Sequence, residues 1–78
     1  MLERQPCVVI TFKNTPDACA MEAAAKGHGI PGQLIPIPSA ISAGCGLAWR
    51  AGAEERTTVV GALAEHGIAH EGVFDIEL

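Results

Sequence analysis

Apolar positions along the chain gather into short blocks separated by polar residues, glycine or proline. Pro6-Cys7-Val8-Val9-Ile10-Thr11-Phe12 is continuous and rich in β-branched side chains. Bounded by Pro6 and by Lys13-Asn14, it predicts a buried strand. Asn14 or Thr15 then offers an N-cap, Pro16 suits the first helical position, and Asp17 suits the first turn. The alanine-rich run Ala18 to Lys26 continues as a helix, stopped by Gly27-His28-Gly29. Gln33 to Pro38 predicts a second strand, and Pro36 and Pro38 remove ladder donors and send it to a sheet edge. A loop, Ser39 to Gly44, leads into a third strand, Cys45 to Arg50. Glu54 and Glu55 open a second helix through Val59, Val60, Leu63 and Ala64, stopped at Gly67. Val73 to Leu78 alternates apolar and polar, as a half-exposed final strand should.

The two halves of this pattern repeat. His28-Gly29-Ile30 returns as His66-Gly67-Ile68 at an offset of 38 residues, and the same offset lays Cys7 on Cys45. A strand–helix–strand unit used twice predicts an α+β chain, a ferredoxin-like βαββαβ sandwich forming one domain over residues 1–78. Right-handed crossovers place strands one and three in the centre, antiparallel, in the order 4-1-3-2 with both helices on one face. Cys7 and Cys45 then begin antiparallel strands at opposite ends of the sheet, out of disulfide reach of each other.

Composition narrows the function classes. The chain is 49% hydrophobic and 18% charged, which is a folding rather than a disordered composition. Its net charge of −4, with no Lys/Arg cluster and only Phe12, Phe74 and Trp49 as aromatics, excludes a nucleic-acid-binding surface. The apolar runs are too short to span a membrane, and the first residues lack the layout of a signal peptide. Three cysteines without a C-x-x-C pair do not make a disulfide framework, so a reducing cytoplasm is the expected setting. A small chain with helices on one sheet face leaves the other face open, and a homodimer using Trp49 and the final strand is expected.

Candidate chemistry centres on Ser42-Ala43-Gly44-Cys45-Gly46. Gly44 and Gly46 strip Cβ bulk from both sides of the thiol and permit unusual backbone angles. The topology brings Cys45 to where strand one ends and helix one begins, beside Lys13, Asn14 and Thr15. An ammonium and a helix N-terminus there would favour the thiolate. Arg50 is a candidate guide for an anionic partner, and Cys19 on the first helix a candidate resolving thiol. Each has a structural alternative: Cys45 and Cys19 as packed side chains, Arg50 as a solvated strand-end residue. Cys7 reads as inert core. His28 and His66 fall in last helical turns, where the helix dipole favours imidazolium. His66 and His70 are separated by Gly67 and share no helical face, so neither a metal nor a cofactor is expected.

Leu34-Ile35-Pro36-Ile37-Pro38, then Ile41-Ser42, then Gly44-Cys45-Gly46-Leu47-Ala48 and a basic Arg50, resembles a small bacterial family of selenium/sulfur carrier-like proteins. The likeness extends from about Pro6 to Glu77 and includes Gly29-Ile30, Gly67-Ile68 and Glu71-Gly72-Val73. It implies that Cys45 is the signature cysteine and that the chain handles sulfur or selenium together with donor and acceptor proteins. The Cys-Pro-x-Pro helix start of the sulfur-relay carriers is missing. Two readings stay open. One is a stoichiometric persulfide or perselenide carrier on Cys45, not itself an enzyme. The other is a regulatory or interaction module in which Cys45 only packs.

Overall fold

The computed structural model describes residues 4–41 and 44–78. The element order is β1 (Pro6–Thr11), α1 (Thr15–His28), β2 (Gln33–Pro36), β3 (Leu47–Gly52), a 3-10 turn (Ala53–Glu55), α2 (Arg56–Glu65) and β4 (Gly72–Glu77). The strands form one antiparallel sheet in the order β2-β3-β1-β4, the expected topology read from the other edge. Thr11 pairs with Ala48 and Cys7 with Gly52, so the end of β1 meets the start of β3. On the other side β1 pairs with β4 from Pro6–Glu77 to Thr11–Gly72. Beyond that ladder Gln5 and Leu78 exchange both backbone hydrogen bonds, at 2.7 and 3.0 Å.

Local chemistry sets the element ends. Asn14 is the N-cap of α1, its Oδ1 accepting the Asp17 N–H at 2.9 Å, with Pro16 in the first turn. A cap of this kind contributes about 1 kcal/mol. β2 ends at Pro36: Ile37 N–H still reaches Gly46 O one pair further in the same register, and Pro38 O then accepts from Ile41 N–H in a tight turn, both at 2.9 Å. β3 starts at Leu47 rather than at Cys45, since Gly44 and Gly46 hold φ values of 81° and 95° that break the ladder. Cys45 therefore belongs to the connection, not to the strand.

Strand alternation gives the sheet two apolar faces. Val8, Ile10, Phe12, Trp49 and Ala51 point to the helices and meet Ala18, Met21 and Ala25 of α1 and Val59, Ala62 and Leu63 of α2. Trp49 is 3% exposed within this layer, and its indole N–H donates to Pro31 O at 2.9 Å. That corrects the expectation that Trp49 contributes to self-association: the ring is committed to the core.

The second face is not open either. Cys7, Val9 and Ala48 on it are buried together with Ile41, and Ile35, Ile37, Phe74, Ile76 and Leu78 pack around them half-buried. The β2–β3 connection thus folds back over the strands and seats Ile41 on their centre. Removing Ile41 beyond Cβ should expose this face: Ile41→Ala is expected to cost about 2–4 kcal/mol in urea unfolding and to speed labelling of native Cys7. A cost near zero with Cys7 still protected would show that the face does not depend on the connection.

Candidate functional site

The connection between β2 and β3 is a closed loop. Its neck is the hydrogen bond from Ile37 N–H to Gly46 O, one step beyond the last ladder pair, Pro36 with Leu47. A loop whose ends adjoin in this way is of a type that frequently carries function. The two segments that stand out in the sequence, Pro36-Ile37-Pro38 and Gly44-Cys45-Gly46, are its two legs. They are separated along the chain and adjacent in space.

Gly44 lies against the end of β1. A Cβ built there would stand 2.9 Å from Phe12 O and 3.6 Å from Ile37 Cδ1. A Cβ on Gly46 would meet nothing within 4 Å. Gly44 is therefore required by both backbone angle and space, and Gly46 by backbone angle alone.

Cys45 sits between them, half-buried, packed at the rim of the helix-side core. Its thiol has one polar contact among the described residues, a long hydrogen bond donated to Leu47 O at 3.9 Å. The glycines on either side are exposed, so the sulfur has apolar neighbours beneath it and no side chain flanking it in sequence.

The other sequence candidates divide. Lys13 and Thr15 are exposed at the β1–α1 corner, the corner Gly44 touches through Phe12, but neither bonds to the thiol. The N-terminus of α1 is largely served from within: Asn14 takes the Asp17 and Ala18 N–H groups through its side chain and carbonyl, and Pro16 has none to offer. Arg50 is half-buried and pairs with Val9, which places it on the second sheet face, whereas Cys45 packs on the helix side. Ser42 lies outside the described residues. Cys19 is exposed on α1, Cys7 is buried on the second face, and all three cysteines are free.

The surface grooves beside Trp49, beside Leu78 and beside Cys7 are lined by other residues and do not include Cys45. No group of three or more His, Cys, Asp or Glu side chains gathers to hold a metal among the described residues. No helix there is long and apolar enough to cross a membrane. Among the described residues two of the three free sulfurs reach the surface, Cys19 on α1 and Cys45 at the loop neck.

Sequence reasoning identified the Gly-Cys-Gly leg and the corner it occupies. It did not find the loop neck or the Ile41 seat. The signal for the latter was present: Ile41 is an isolated branched apolar residue inside a stretch of Ser, Ala and Gly.

A family profile described as "Putative Se/S carrier protein-like" matches residues 7–75. Neither the curated proteins nor the solved structures yield a match.

The two glycines should respond differently to a methyl group. Gly44→Ala meets both a left-handed backbone and the Phe12 carbonyl, and Gly46→Ala meets only the backbone cost of about 1–2 kcal/mol. Urea unfolding should rank Gly44→Ala as clearly the more destabilised. Equal losses would mean that Gly44 is not seated against β1.

Proposed function

Because the chain belongs to the Se/S carrier protein-like family, we propose that it carries a single sulfur or selenium atom on Cys45 between a donor and an acceptor protein. One observation supports the choice of thiol above the others. Cys45 is half-exposed between two exposed glycines at the neck of the loop, whereas Cys7 is buried and Cys19 stands on a helix surface without supporting structure. A docking protein could bring its active site to the sulfur without displacing a neighbouring side chain.

The exchange balances without an outside oxidant. The Cys45 thiolate attacks the terminal sulfur of a persulfide on the donor. A new S–S bond forms at Cys45, the donor's S–S bond breaks, and the donor cysteine leaves as a thiolate. The reverse attack by an acceptor thiolate unloads the carrier, and a perselenide follows the same course. A second catalytic group on this chain is not needed, so the role is stoichiometric. Phe74, Ile76 and Leu78 offer half-buried apolar surface on the second face, available to a partner or to a second copy of the chain.

A second reading rests on the inward packing of the same sulfur. With its thiol against the core rim and turned to Leu47 O, Cys45 would be a small structural side chain in a regulatory or interaction module. Intact-mass spectrometry separates the two. After incubation with a cysteine desulfurase and cysteine, the wild type and the Cys7→Ser and Cys19→Ser variants should gain one sulfur atom, lost again on reduction. Cys45→Ser should gain none. Loading that survives Cys45→Ser, or no loading of a folded wild type by sulfur or selenium donors, would favour the module.

A further inference from the structure

His28 and His66 close α1 and α2, and their rings stack with centroids 3.8 Å apart and planes 11° from parallel. The placement of both rings follows from the way the helices end. Gly29 and Gly67 adopt left-handed φ values of 67° and 60°. Ile30 N–H then reaches Ala25 O at 3.1 Å, and Ile68 N–H reaches Leu63 O at 2.9 Å. These are the six-to-one bonds of Schellman caps. In each cap the isoleucine that follows packs against the helix-side core, Ile30 buried and Ile68 half-buried. The repeated His-Gly-Ile triplet is therefore a repeated cap, and the two caps meet through their histidines. Elsewhere the two helices make little direct contact.

We propose that the His28–His66 stack is a proton-operated clasp between the two helix ends, closed while at most one ring is protonated and released when both are. Two neutral rings attract by stacking, and one imidazolium over a neutral ring adds attraction of the cation–π kind. The second proton, taken like the first from solvent onto a ring nitrogen, puts two like charges at stacking distance. Charged groups of both helix ends act on this balance. Glu65 Oε1 lies 3.8 Å from His66 Nε2, and Lys26 stands in the last turn of α1 beside His28, so one acidic and one basic group flank the pair. His70, on the α2–β4 connection, has its Nδ1 2.9 Å from Ile68 O.

The test is a double-mutant cycle in acid, with thermal melts of the wild type, His28→Phe, His66→Phe and the double variant at about pH 7.5 and about pH 5. Phenylalanine keeps a flat ring and removes the charge. The melting temperature of the wild type should fall on acidification by about 4 °C more than that of either single variant. The double variant should be no less acid-sensitive than the singles, because each single already removes the pair. Parallel losses in all four proteins, or single-variant effects that simply add, would overturn the clasp. Should the variants fail to fold, ring-proton NMR of the wild type decides. Signals of each ring that move in two steps, one with each proton, support the clasp, and single independent titrations reject it.

Discussion

A sheet that is apolar on both faces needs two covers, and this chain has helices enough for one. Val8, Ile10 and Phe12 point to α1 and α2, whereas Cys7 and Val9, which alternate with them, point away and are just as dry. With about 1.5–3 kcal/mol at stake for each large apolar side chain, a domain this small does not leave such a face to water. The second cover is the β2–β3 connection, and everything distinctive about the candidate site follows from that duty. The connection must leave the edge strand, cross the sheet, set Ile41 down and return to β3. Proline ends β2, a tight turn redirects the chain at Pro38, and the glycines bring it back beside Phe12. Cys45 stands where it does because the return leg has to pass the end of β1.

The topology was legible because it depends on information written locally. Proline and β-branched residues mark strands, Asn14 and the caps at Gly29 and Gly67 mark helix ends, and right-handed crossover leaves little choice of strand order. Residue-scale errors arose where a backbone angle overrode a side-chain pattern. Cys45 reads as the start of a strand from its apolar neighbours Leu47 and Ala48, yet a left-handed Gly46 comes between them and ends the ladder. Ile37 reads as strand from its alternation with Ile35, and its N–H keeps that register to Gly46 O, but the left-handed Gly46 opposite it ends the strand there.

The site was legible only in part, for a different reason. Which residues lie at one end of the sheet is a topological fact, and the corner of Phe12, Lys13 and Gly44 follows from strand order alone. Which face a side chain takes is a matter of register. Arg50 lies five residues after Cys45 and serves the opposite face, a separation that spacing along the chain does not reveal. Long-range contacts such as Ile41 on Val9, Trp49 with Pro31 or His28 on His66 have no local signature at all. They emerge when two separately specified pieces arrive at the same place.

One feature of the ladder bears on how the domain would respond to force. Gln5 and Leu78 hold each other by two backbone hydrogen bonds, and from them β1 and β4 run side by side in opposite directions. Tension applied at these two residues would therefore pull across the ladder rather than along it, loading one hydrogen-bonded pair at a time, as a zipper is opened from its end. Peeling of this kind resists far less than sliding two strands past each other, where many bonds must fail together. Tethered through this corner, the domain would be mechanically soft whatever its thermal stability, with β4 the first strand to come away and the loop bearing Cys45 among the last parts to feel the load.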